Sequence, residues 1–301
     1  MKARRRAGRS TQPDSSTPTT RAGTLYVVAT PIGNLEDITL RALRVLGEVQ
    51  LVAAEDTRRT GNLLRHYEIA TPLLSLHEHN EAQRIRQIVE RLGNGESVAL
   101  VSDAGTPGIS DPGALVVGAV REGGFRVEPI PGPSSVTAAL SAAGLDASRF
   151  VFAGFPPVRS KDRKQWFEWV AGESSLPVVW FEAPHRIRQT LRDASQYFGI
   201  RPILIGREIT KAHEEWLGGT AEILTELVAT ELGEFVLVLG PQPQDSLPAQ
   251  APSDAEIADV FSQMTNITTR SRREQLRAAA ERLKLPLKTV YEAIERHKLV
   301  E

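Results

Sequence analysis

Between Gly23 and about Gly240, short apolar runs alternate with amphipathic stretches, and this alternation limits the chain to few folds. The runs are TLYVVA from Thr24, QLVAA from Gln50, SVALVS from Ser97, FRVEPI from Phe125, PVVWF from Pro177, RPILIG from Arg201 and EFVLVL from Glu234. Between the first two, Ile38, Ala42, Val45, Leu46 and Val49 recur at helical spacing, with Asn34 placed to cap that helix. Strands alternating with helices imply parallel α/β sheets. A second strand series begins near Phe150, after the turn-rich PGPSS and a helix expected from Val136 to Ala143. The chain therefore divides into an N-terminal α/β domain over residues 23–147 and a C-terminal α/β domain over 148–241.

The flanking segments have a different character. Residues 1–22 hold six Lys and Arg against the single Asp14, with no apolar run, and read as a flexible basic tail. Residues 242–254 are rich in Pro and Gln and read as a linker. Residues 255–301 read as a helical module in which Ile257, Val260, Phe261 and Met264 share one face. After it a helix, a turn at Leu285 and Pro286 and a second helix resemble a helix-turn-helix. That module is basic beyond Asn266, so it suits either nucleic-acid contact or a solvated docking role.

The 301 residues contain no cysteine, which excludes disulfides, thiolate zinc sites and iron–sulfur clusters. The six histidines are not spaced as ligands, so no metal is expected. No stretch is apolar and long enough to span a bilayer, and a soluble cytoplasmic protein is expected.

Open α/β sheets bind ligands beyond the carboxyl ends of their strands, so the loops after the apolar runs hold the chemistry. TPIGNLED, from Thr30, has Pro31 and Gly33 for a tight exit, but it is not the glycine fingerprint of a dinucleotide fold. AEDTRRT places Glu55, Asp56, Arg58 and Arg59 together, as a salt-bridge network or as clamps for a polyanion. SDAGTPGISDPG, from Ser102 to Gly113, has little side-chain bulk, so a ligand can approach its backbone near Asp103. PGPSS ends in Ser134 and Ser135 at a helix start, which suits a polar ligand edge or an ordinary cap. FAGFPP leads into Arg159, Lys161, Arg163 and Lys164, a basic stretch read as a mobile loop or substrate flap. FEAPHR and REITKAHEEW again gather charge at strand exits, without a nucleophile motif beside His185 or His213.

Together, LYVVATPIGNLEDIT, AAEDTRRTGNLL, LVSDAGTPGISDPG, PGPSSVTAALSAAGL, FAGFPP, APHRI and REITKAHEE resemble the tetrapyrrole-methylase superfamily. More narrowly they resemble its branch of small-subunit ribosomal RNA cytidine 2′-O-methyltransferases. The resemblance implies two α/β domains with S-adenosylmethionine in the cleft between them, in a homodimer acting on small-subunit ribosomal RNA, in the assembled particle. It implies cofactor contacts from Pro31, Asp103, Gly105, Thr106, Ile109, Ser134, Ser135, Phe181 and Ala183, and from a strand close to Phe235. A ribose hydroxyl is a poor nucleophile at neutral pH, so a nearby base is needed. Charge clustering makes Glu55, Asp56, Glu208 and Lys211 the candidates. Arg58, Arg59, Lys161, Arg186 and Arg207 are candidates for RNA binding. Two alternatives stay open: the same scaffold acting on a tetrapyrrole or another RNA, and a non-enzymatic nucleic-acid-binding regulator.

Overall fold

A computed structural model describes residues 22–77, 80–243, 253–267, 272–283 and 287–298. The expected basic tail up to Arg21, most of the expected linker and the turn at Leu285 and Pro286 lie outside the described residues. The chain forms two compact units, Met1–Gly240 and Pro241–Glu301.

The first unit begins with β1 (Thr24–Val28), α1 (Leu40–Glu48), β2 (Leu51–Ala54), α2 (Thr57–His66), β3 (Leu73–Ser75), α3 (Glu81–Gly93), β4 (Val98–Val101), α4 (Ala114–Glu122), β5 (Arg126–Ile130) and α5 (Ser135–Ala142). These five strands form one sheet and are all parallel, in the order β3-β2-β4-β1-β5. Every residue of β2 and β4 is buried, because helices cover both faces of the sheet. Pro129 is tolerated in β5 because that strand lies at the sheet edge and pairs only with β1.

Asn34 does not cap α1. Its side chain accepts from the Glu36 amide and closes a short 3₁₀ turn, and Ile38 is extended; the Thr39 hydroxyl caps α1 instead. The apolar face expected for α1 is present, with Ala42, Val45 and Leu46 buried.

The chain continues with β6 (Val151–Phe152), α6 (Ser160–Gly172), β7 (Val178–Glu182), α7 (Ile187–Phe198), β8 (Ile203–Arg207), β9 (Glu215–Gly219), α8 (Ala221–Leu227) and β10 (Phe235–Leu239). This second sheet, ordered β6-β7-β10-β8-β9, departs from the parallel expectation: of its adjacent pairs, β6 and β7 alone are parallel. The link from β8 to β9 is too short for a crossover, so they pair as antiparallel neighbours. β10 lies antiparallel between β7 and β8 and is buried throughout. This reversal sets the amino end of β10 beside the carboxyl ends of β7 and β8, with Phe235 paired to Glu182 and Arg207. The basic stretch after FAGFPP is also no loop from Ser160 onward, because α6 buries Phe167 and Val170 and holds Lys161, Arg163 and Lys164 in its first turns.

The two sheets join through one apolar cluster. Ile32 from the first loop and Val136, Ala139 and Leu140 from α5 pack on Val179, Ile209, Val236 and Val238 of the second half. The first loop is fixed there by a hydrogen bond from the Asn34 amide to the Thr210 hydroxyl, 3.1 Å.

In the unit Pro241–Glu301, α9 (Asp254–Ile267), α10 (Arg272–Leu283) and α11 (Leu287–Lys298) form their own small core from Ile257, Ala279, Ala280, Val290, Ala293 and Ile294. Arg296 grips Asp254 in a two-pronged ion pair, 2.7 and 2.8 Å. No helix among the described residues is long and apolar enough to cross a membrane.

Candidate active site

The loops singled out from sequence converge on one cavity of about 460 Å³ in the cleft between the two sheets. Its size falls within the range of about 300–1,000 Å³ common to small-molecule sites. Asp103, Gly105, Thr106 and Ile109 line it from the loop after β4, and Ser134 and Ser135 from the start of α5. Phe181 and Ala183 close it from the end of β7. Pro31 does not line it; its neighbour Ile32 does.

The loop after β4 is shaped by backbone conformation. Gly105, Gly108 and Gly113 have φ of 76°, 81° and 123°, which side chains rarely adopt, and Ser110 is held at 61°. Two backbone hydrogen bonds between Thr30 and Gly105, 2.9 and 3.0 Å, clamp this loop to the first. The Gly113 amide donates to the buried Glu81 carboxylate, 3.2 Å, which anchors the far end of the loop.

The lining is acidic. Glu55, Asp103, Asp111 and Glu234 face Arg59 across otherwise apolar or small walls, while Glu182 lines the cavity with its carboxylate buried against Thr190 and Arg186. Burial pushes the Asp111 carboxyl above its usual range; a hydrogen bond from Ser102 opposes the shift, and the Asp103 charge adds to it. Burial likewise raises Glu182, although the Thr190 hydroxyl and the Ala183 amide donate to it and Arg186 lies 3.5 Å away. Such a cavity favours a cation with an apolar body: at an effective dielectric of about 20, one opposite charge at 4 Å is worth about 4 kcal/mol before desolvation.

Among the four groups expected as a base, Glu55 alone lines the cavity. Asp56 caps α2, and its carboxyl is lowered to about 2 by its hydrogen bonds from Arg58. Glu208 and Lys211 pair with each other at 2.8 Å, and Lys211 also reaches Glu234 at 3.2 Å. The Lys211 hydrogen bond lowers the Glu208 carboxyl.

The five expected RNA-binding cations separate in the same way. Arg58 and Lys161 are exposed, and Arg59 reaches Asp103 at 3.4 Å from the cavity wall. Arg186 instead donates to the Pro156 and Pro157 carbonyls, and Arg207 to the Leu232 carbonyl, with little of either side chain exposed. Sequence reasoning missed Asp111, Phe155, Ile209 and Glu234 as lining residues. All four stood inside quoted motifs or runs, but nothing local marks which way they face.

A model of the family described as Tetrapyrrole (Corrin/Porphyrin) Methylases matches residues 24–225. A protein of Neisseria meningitidis serogroup B named ribosomal RNA small subunit methyltransferase I is 52% identical over 224 residues, which is 73% of this chain and 76% of that protein. One of the same name from Synechocystis sp. is 43% identical over 275 residues, covering 90% of this chain and 96% of its own. Among solved structures, a uroporphyrin-III-C-methyltransferase from Thermus thermophilus shares the fold, with a TM-score of 0.52 and 23% identity over 72% of this chain and 94% of that one.

Proposed function

The chain belongs to the tetrapyrrole (corrin/porphyrin) methylase family, and from that premise we propose that it methylates small-subunit ribosomal RNA with S-adenosylmethionine as donor. The finer reading is transfer to the ribose 2′-oxygen of a cytidine, in the assembled particle, by a cytoplasmic homodimer. The observation that supports the donor most directly is the acid-lined cavity between the sheets. S-adenosylmethionine has a nucleoside body and a sulfonium centre, and it supplies an electrophilic methyl group whose transfer to a hydroxyl leaves a neutral thioether and releases one proton.

Gly105, Thr106 and Ile109 offer the donor exposed backbone and an apolar contact; Ser134 and Ser135 offer hydroxyls and helix-start amides. Phe181 and Ala183 close the other side, and Asp103 and Asp111 complement the positive charge. Glu55 is the group proposed to take the hydroxyl proton, because it is the expected base that stands on the cavity wall. Orientation supplies most of the rate, since no covalent enzyme intermediate is required. Arg58, Arg59 and Lys161, together with the basic C-terminal module, are the proposed RNA contacts.

The test is transfer of tritiated methyl from S-adenosylmethionine to small ribosomal subunits lacking the modification, with naked RNA alongside and digestion to nucleosides. Label in 2′-O-methylcytidine is expected, with the particle preferred. Cofactor binding without label in either substrate would refute the ribosomal acceptor and leave the scaffold with another one.

A further inference from the structure

A second recess of about 300 Å³ opens beside the acidic cavity. It is walled by Pro31 and Leu35 of the first loop and by Arg59, Asn62 and His66 along one face of α2. Among the described residues, Arg59 and Asp103 alone line both cavities, so their 3.4 Å ion pair forms the partition. We infer that this recess holds the acceptor nucleoside, an unpaired nucleotide of an RNA strand; the assignment rests on the proposed methyl transfer to RNA.

Charge separates the two cavities. The larger one presents the carboxylates of Glu55, Asp103, Asp111 and Glu234 against Arg59 and repels a phosphate-flanked nucleotide. In the smaller one Asp103 is the one carboxylate among the described residues, facing Arg59 and the imidazole of His66. The donor cavity thus selects a cation and the recess admits an anion-bearing strand.

The chemistry of the walls fits one base. Asn62 supplies a carboxamide with both donor and acceptor, His66 a ring for stacking or hydrogen bonding, and Arg59 a guanidinium plane. Pro31, Leu35 and Leu63 supply apolar contact. At about 300 Å³ the recess is at the small end of ligand pockets, large enough for one nucleoside and too small for a tetrapyrrole.

The recess is also built on fixed parts. Asp56 caps α2 while its own amide donates to Asp103 at 2.9 Å, so the helix start and the partition move together. Thr60, Leu63 and Leu64 anchor α2 as its buried residues, and the Tyr67 hydroxyl donates to the Leu35 carbonyl at 2.6 Å. Asn62 and His66 are exposed one turn apart, Asn62 accepting from Arg65 at 2.9 Å and His66 meeting the Tyr67 ring edge-on at 4.7 Å, and neither is among the buried residues of α2.

The experiment uses the full chain with Asn62→Ala, His66→Ala and the pocket-filling Asn62→Trp. Calorimetry measures S-adenosylmethionine affinity, and steady-state methylation measures KM for unmodified small ribosomal subunits. The expected result is unchanged cofactor affinity with KM raised about tenfold for each alanine variant, equivalent to ~1.4 kcal/mol, and more for Asn62→Trp. Wild-type transfer with unchanged KM in all three variants would overturn the subsite and leave the methyltransferase reading standing. Loss of cofactor affinity in the variants would overturn it too, by making the recess part of the donor site. Wild-type protein that binds the cofactor but transfers nothing to ribosomal subunits would overturn both.

Discussion

Gly33 sits where the first loop meets the second half of the first unit, and replacing it with alanine tests whether that seam sets the active cavity. A methyl group on Gly33 would lie 2.4 Å from Lys211 Cγ, 2.8 Å from Thr210 Oγ1 and 3.0 Å from the Ile209 carbonyl oxygen. The Lys211 stem could yield, but its ammonium is tied to Glu208 and Glu234. Thr210 accepts from the Asn34 amide, and the Ile209 oxygen is backbone, so the remaining contacts are relieved only by separating the loops. Overpacking of this kind costs about 1–3 kcal/mol. Stiffening the unfolded chain returns about 0.4–1 kcal/mol, so a net destabilisation of about 1–2 kcal/mol is expected. Because Ile32 and Ile209 both line the cavity, the same displacement weakens cofactor binding. Urea unfolding and calorimetry with S-adenosylmethionine measure the two effects. The control is Gly118→Ala within α4, where the new methyl meets nothing within 4 Å and stability should rise by about 0.5–1 kcal/mol. A Gly33→Ala protein as stable as wild type and with unchanged affinity would refute the reasoning.

Three further changes separate the roles of charged groups. Asp103→Ala removes the partner of Arg59 and the acceptor of the Asp56 amide, so cofactor affinity should fall about tenfold, the effect of ~1.4 kcal/mol; unaltered calorimetric affinity would move the donor elsewhere. Glu182 has a carboxyl raised by burial, so its contribution to stability is fully present below the unfolded value of about 4.3 and is lost as pH rises through the higher folded value. Glu182→Gln should therefore gain on wild type as pH rises from 4 to about 7, and urea titrations showing the opposite slope would contradict the assignment. Arg201 is buried and donates to the carbonyls of Gly240, Glu173 and Ala171, and burial lowers its pKa to about 10. Arg201→Ala should cost about 2–4 kcal/mol by leaving those acceptors unmade, and a loss below about 1 kcal/mol in urea unfolding would show that water replaces the guanidinium.

The cavity was legible where chemistry is written in loop composition. SDAGTPGISDPG has to expose backbone because three glycines and two prolines leave it no other use, and PGPSS has to begin a helix; both reach the cavity. What sequence could not supply was the partner of each charge. Glu208, Lys211, Arg186 and Arg207 look like strand-exit chemistry as strings, yet each is engaged by groups at least partly distant in the chain: Glu234, the Pro156 and Pro157 carbonyls, and the Leu232 carbonyl. The same limit hid β3 and β9. LLS is three residues long, and EWLGG has one charged residue and two glycines, so neither shows an apolar run until a neighbouring strand supplies the hydrogen bonds. β10 is the instructive case, because its five apolar residues marked a strand but its direction came from the elements around it. Had it run parallel to β7, its amino end would lie at the opposite edge from the Glu182 carboxylate. Its antiparallel insertion is what brings Glu234, Phe235 and Val236 to the cavity wall, so the sheet reversal that periodicity could not foresee completes the side of the site facing the parallel half.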